Sequence, residues 1–253
     1  MLRREGRATS RACTLTAALL ALTLGACGLP KDPNDTHERV QEERLLRAGL
    51  VRHEPWTYLQ HEGKPAGPEV DAVEKLAARL GARVVWTVAP ESELMHGLEK
   101  HALDLVVGGI SSKTPWAKRI GLGKPFLTTR LVPGAPPGGS VPESLQGQDI
   151  AVAPGGVAGA LLSKEGARVR EATDLHRAPG LRAAWDWQLE AWGYVPGTKA
   201  LREEQWVWVV PPGENRWLLT VDRFVLEHAE DIRRGLVDHA RTRAAHVSEE
   251  IQP

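Results

Sequence analysis

The chain has 253 residues, 42% of them hydrophobic, and its 32 basic side chains are matched by 32 acidic ones. That is enough for one large domain or two lobes with cores of their own. The balanced charge excludes nucleic acid as a default partner. The nine histidines lack a His-Glu-x-x-His spacing and give no signal for a metal centre, and no cofactor is expected.

Arg3, Arg4, Arg7 and Arg11 precede an apolar run over 13–26. About 14 apolar residues are too few to span a bilayer but suit a signal sequence. The run closes as Leu24-Gly25-Ala26-Cys27, the lipobox pattern of bacterial lipoproteins. The expectation is a signal peptide over 1–26, a lipidated Cys27, and a flexible tether over 27–43 containing Pro30, Pro33, Asn34 and Asp35. A helical turn is expected to open at 37–45. Cys13 would leave with the signal, so no disulfide is expected. The remaining chain carries 28 basic against 31 acidic residues, so membrane attachment would rest on the lipid rather than on charge.

A strand is predicted over 46–51, ending at Pro55-Trp56, and a turn over 63–68. Val70, Val73, Leu76, Ala77 and Leu80 then repeat at helical spacing until Gly81. A strand at 83–88, a short helix at 94–100 and a strand at 103–107 closed by Gly108-Gly109 follow. This β-α-β-α-β rhythm implies a parallel sheet with helices on its faces. Ligands bind beyond the carboxyl ends of such strands, where Trp56 and residues 108–111 fall. Residues 123–132 read as a strand leaving the first lobe and 133–139 as a loop. Next come a strand at 149–153, a turn at Gly155-Gly156, a helix at 157–166, a strand at 169–172 and a strand-loop-helix at 180–192. A strand at 205–210 and helices at 215–228 and 229–245 complete the chain. The predicted division is 44–130 plus 210–253 for lobe one and 131–209 for lobe two.

Certain residues recur in this order: Pro55-Trp56, Gly67-x-x-Val70-Asp71, Leu80-Gly81 with Trp86, Asp104, Gly108-Gly109-Ile110-Ser111, Thr114-Pro115, Pro125-Phe126, Asp149-Ile150-Ala151-Val152 and Asp186-Trp187-Gln188-Leu189. With them the chain resembles the family 3 extracellular solute-binding proteins, receptors of ABC importers. The resemblance implies an α/β, two-lobed, periplasmic-binding-protein-like fold of type 2. Each lobe would be a mainly parallel sheet flanked by helices, joined to the other by a two-strand hinge. It implies a monomer at the periplasmic face, not an enzyme, that closes on a small-molecule solute and delivers it to an ABC permease in the inner membrane. Carried over by position, Trp56 would stack on the ligand, and Gly109 and Ser111 would offer lobe-one hydrogen bonds. Gly155, Gly156 and Val157 would present amides at a helix start. Asp186, flanked by Trp185 and Trp187, would pair with a ligand amine.

The chain departs from the family where Thr-Pro-Glu-Arg is usual. It reads Thr114-Pro115-Trp116-Ala117 and lacks the Arg that grips a ligand carboxylate. Nine Trp stand against two Phe and two Tyr. A solute with a cationic or amine group, held by Trp56, Trp185, Trp187 and Asp186, is expected rather than an ordinary α-amino acid. Two alternatives remain: a dehydratase-type enzyme on the same fold, with Glu69, Asp71 or Asp186 as general acid or base, and a sensor or accessory domain without transport.

Overall fold

The computed structural model describes residues 31–249, with side chains to 244; the expected signal peptide and Cys27 lie outside the described residues. The first lobe opens with α1 (Thr36–Glu43), β1 (Leu45–Leu50) and a small hairpin, β2 (Tyr58–Leu59) with β3 (Pro65–Ala66). It continues through α2 (Pro68–Arg79), β4 (Arg83–Val88), α3 (Glu91–Glu99), β5 (Leu105–Ser111) and β6 (Gly121–Leu122). Strand β7 (Leu127–Ala135) leads into the second lobe, built from β8 (Asp149–Val152), α4 (Val157–Lys164), β9 (Arg168–Glu171), β10 (Leu181–Trp185), α5 (Asp186–Ala191) and β11 (Val195–Pro196). Strand β12 (Arg202–Val210) returns, and α6 (Asn215–Glu227) and α7 (Ala229–Glu249) pack on lobe one.

One sheet runs through both lobes in the order β4-β1-β5-β12-β7-β10-β8-β9. Within lobe one β1 is parallel to β4 and β5, and within lobe two β8 is parallel to β9 and β10. Between these blocks β12 runs antiparallel to β5 and β7. It pairs Arg202 with Leu131 and Trp206 with Leu127, then passes to β5 through Trp206 and Ser111. Two strands, β7 and β12, therefore join the lobes.

Alternation along β12 builds two cores at once. Trp206, Trp208 and Val210 pack with α2, α6 and α7, while Val207 and Val209 pack with Leu94, Met95 and Leu98 of α3. Helix α2 forms because Val70, Val73, Leu76 and Ala77 make one apolar stripe behind Pro68 at its first position. Among the boundaries that differ from expectation, three follow from strand pairing. Gly108 and Gly109 lie inside β5 rather than ending it, because Ile110 and Ser111 still pair with β12. The loop expected from Pro133 is strand to Ala135, since β10 and β11 pair with it. And β12 starts three residues before Gln205 because Arg202, Glu203 and Glu204 pair with β7.

The tether expected over 27–43 is, from residue 31 onward, part of the folded lobe. Thr36 and Val40 of α1 are buried. The Asp32 carboxylate accepts the N–H groups of His37, Arg216 and Trp217, and Glu214 accepts those of Asn34 and Thr36. Helix α6 has no side-chain cap from its own N-cap residue, Glu214; Asp32 supplies one from across the chain. Asp32→Ala should therefore lower stability by about 1–2 kcal/mol, read as the shift in urea midpoint. An unchanged midpoint would mean that the N-terminal segment does not hold α6.

Candidate functional site

A cavity of about 550 Å³ opens where the second lobe meets α7, a volume usual for small-molecule sites. Lobe two lines it with Ala153, the start of α4 (Gly156, Val157, Ala158), Asp174, His176 and three indoles, Trp185, Trp187 and Trp192. Lobe one closes it with Glu54, Pro55 and, on α7, His239, Ala240, Arg243 and Ala244. Each wall follows from local structure. Gly155, at φ +68°, turns the chain from β8 toward α4, and the N-cap residue of that helix, Gly156, supplies no side-chain cap, which favours anions or acceptor oxygens. Trp185 ends β10 and Trp187 enters α5, so the strand-to-helix turn delivers both rings to one side. His239 and Arg243 are four apart on α7 and share a face.

The rim carries charge. The Glu54 carboxylate accepts from His239 Nε2 at 3.1 Å and from Arg243. Burial pushes Glu54 up, but the Arg243 guanidinium and the hydrogen bond from His239 outweigh it and hold the carboxyl below its ordinary range. His176 is held below its usual value, chiefly by burial, with Arg182 and Arg177 adding to the effect and Asp174 opposing it. It is therefore neutral near pH 7. Its ring sits 5.7 Å from that of Trp192. Behind this wall the buried Arg182 donates to the carbonyls of His176 and Ala178 and to the Tyr194 hydroxyl, with its guanidinium 3.7 Å from the centre of the Tyr194 ring.

Of the residues singled out in the sequence, the cavity brings together Gly156, Val157 and Trp185, with Trp187 beside them. Gly155 sits one residue before the lining. Asp186 does not line the cavity; its Oδ1 accepts the N–H of Trp187, and its charge supports Arg233 on α7. The lobe-one residues are engaged elsewhere. Trp56 is 2% exposed and packs on Trp206, ring centres 4.6 Å apart. The Gly109 N–H donates to Glu69 at 3.0 Å, and the Ser111 hydroxyl donates to Glu204, itself bound by Arg202. Trp116, in the place of the family's carboxylate-binding segment, packs edge-on against His96, with Arg119 over its ring. Sequence reasoning did not find Glu54, Asp174, His176, Trp192, His239 and Arg243 as cavity residues. Only the i,i+4 spacing of His239 and Arg243 offered a signal.

Glu69 is fully buried, and its Oε2 accepts the N–H groups of both Gly108 and Gly109. Burial raises its pKa to about 7 against those two hydrogen bonds. The indole of Trp208 is near enough to favour its charge, but not at hydrogen-bond geometry, since Glu69 Oε1 and Trp208 Nε1 both lack a partner among the described residues. The contact is electrostatic only. Neither Glu69 nor Asp71 lines the cavity.

Two α/β lobes joined by two strands, with a cavity between lobe two and α7, give the two-lobed architecture of the type 2 periplasmic binding proteins. The chain belongs to the bacterial extracellular solute-binding proteins, family 3, whose model matches residues 46–231. It is similar to a membrane-bound lytic murein transglycosylase F of Vibrio parahaemolyticus, 27% identical over 99 residues, covering 39% of this chain and 19% of that protein. It is also similar to a cyclohexadienyl dehydratase of Pseudomonas aeruginosa, 28% identical over 120 residues, covering 47% of this chain and 45% of that one. The matches thus span less than half the length of these relatives. Among solved structures, the unliganded, open L-cystine solute receptor of Neisseria gonorrhoeae superposes with a TM-score of 0.63 at 16% identity, covering 78% of this chain and 92% of that one.

Proposed function

We propose that the protein is an exported, lipid-anchored receptor that binds a small polar solute, with an amine group admitted, and presents it to an ABC permease. Hinge closure about β7 and β12 would trap the solute without chemistry. The observation that carries this reading is the cavity itself. It draws one wall from lobe two and the other from α7, so a solute within it touches both lobes and favours the closed state. The acids named from the sequence as general acid or base, Glu69, Asp71 and Asp186, stand outside the cavity lining, and of the carboxylates that line it Glu54 is paired with Arg243 and Asp174 with Arg177. The dehydratase relative gives a second reading its weight. A turnover assay with a cyclohexadienyl acid should find no product, and product formation would favour the enzyme. A thermal-shift screen of amines, amino acids, betaines and small peptides should find a solute that raises the melting temperature by several degrees. Trp185→Ala should then weaken that solute by about tenfold. If the broad panel gives no shift, the receptor reading fails.

A further inference from the structure

The lobe-one groups that the resemblance assigns to a ligand are occupied by the chain's own side chains. The Gly108 and Gly109 amides hold the Glu69 carboxylate. The Ser111 hydroxyl holds Glu204, which is 2% exposed. The face of Trp56 is covered by Trp206, whose own indole N–H donates to Thr129 at 2.9 Å. A free amino acid would have to displace two carboxylates and an indole to be gripped there.

The open cavity has a different chemistry. Trp185, Trp187 and Trp192 line it, Trp187 with only 5% of its surface exposed, and its carboxylates, Glu54 and Asp174, outnumber its one guanidinium, Arg243. Glu54 is already committed to Arg243 and His239. Asp174 Oδ1 accepts the Arg177 N–H at 3.3 Å, and Oδ2 forms an ion pair with Arg177 Nε at 3.6 Å, both side chains about a third exposed. His176 beside it is neutral and so does not repel a cation. Arg182 stands behind the wall, outside the lining, with its charge taken up by carbonyls and the Tyr194 ring. Indole faces attract cations, most strongly where water is excluded. The start of α4, whose N-cap Gly156 supplies no side-chain cap, favours an acceptor oxygen on the same ligand.

We infer that the solute is a bulky organic cation of the quaternary-ammonium class bearing an acceptor oxygen, held in the cavity that Trp185, Trp187, Trp192 and Asp174 line, and not a free α-amino acid gripped by lobe one. This rests on the receptor reading above and narrows its ligand.

The test is calorimetric titration of the whole chain with benzoylcholine, with its neutral isostere carrying tert-butyl in place of trimethylammonium, and with free arginine and histidine. Benzoylcholine should bind at least about tenfold more tightly than the isostere or either amino acid. Asp174→Asn keeps the acceptor for the Arg177 N–H and removes the charge. It should weaken benzoylcholine about tenfold and leave the isostere unchanged. Trp192→Ala, checked for folding by its thermal melt, should weaken both. Arginine or histidine binding more tightly than benzoylcholine overturns this inference and leaves the receptor reading standing. Absence of benzoylcholine binding, or an affinity unmoved by Asp174→Asn, overturns it as well. Failure of the whole solute panel would remove the receptor reading together with it.

Discussion

Glu69→Gln should make the protein's stability less dependent on pH between about 4.5 and 7. The buried carboxyl of Glu69 has its pKa raised from 4.5 to about 7, first by burial and against the Gly108 and Gly109 amides. A raised carboxyl binds its proton more tightly in the folded state than in the unfolded one. Below the unfolded value both states are protonated and nothing is lost. As pH rises through the window the unfolded chain ionises first, and stability falls until the folded group ionises near 7. The full loss is about 3 kcal/mol. Glutamine keeps an acceptor for the two amides but cannot ionise, so the variant should gain on the wild type by that amount from pH 4.5 to 8. Urea unfolding of both proteins across this range measures the difference. A constant difference would mean that Glu69 is not a titrating group in the folded protein. Glu69→Ala goes further, leaving the Gly108 and Gly109 N–H groups without an acceptor, at a cost of about 1–3 kcal/mol for each buried donor.

The same residue shows which part of the site was legible. Gly67-x-x-Val70-Asp71 marks a helix entry from spacing alone, and α2 begins there. Nothing in that spacing says that Glu69 turns inward to meet two amides 39 and 40 residues on. Trp185-Asp186-Trp187 likewise announces a strand-to-helix turn bearing aromatics, and both rings line the cavity. The carboxylate between them stays outside the lining and accepts the Trp187 N–H instead. The lobe-one aromatic was legible as a residue but not in its surroundings. Trp56 is covered because Trp206 crosses from β12, and that crossing depends on the register of a strand 150 residues later. Periodicity reports which face of an element is apolar; it does not report which of two apolar faces meet. Asp174 belongs to a loop joined to the site only by the fold of lobe two, so no local pattern could mark it, whereas Trp192 ends α5 and lies one turn beyond Gln188 in the lining.

Gly108→Ala should be among the most damaging single substitutions in the chain. Gly108 has φ +132°, a conformation closed to L side chains, and a Cβ there would lie 2.3 Å from the Val51 carbonyl oxygen, 2.8 Å from Val51 Cβ and 3.0 Å from Thr57 Oγ1. Backbone cannot move aside as a flexible side chain can. Val51 also donates its N–H to the Val107 carbonyl at 3.0 Å, and the Thr57 hydroxyl donates to the Val51 carbonyl. Any shift therefore strains the parallel β1–β5 pairing and draws the Gly108 amide away from Glu69. An expected loss of about 4 kcal/mol or more removes much of the 5–15 kcal/mol that keeps a typical domain folded. Gly155→Ala provides the control. Gly155 also has a positive φ, +68°, but no atom lies within 4 Å of its Cβ position, so only the backbone preference is lost, about 1 kcal/mol. Urea midpoints should separate the two variants by roughly 3 kcal/mol. If Gly108→Ala were no worse than Gly155→Ala, the close approach of β5 to Val51 would not be what fixes the Gly108 amide on Glu69. The self-occupied lobe-one site would then have to be held by the carboxylate alone.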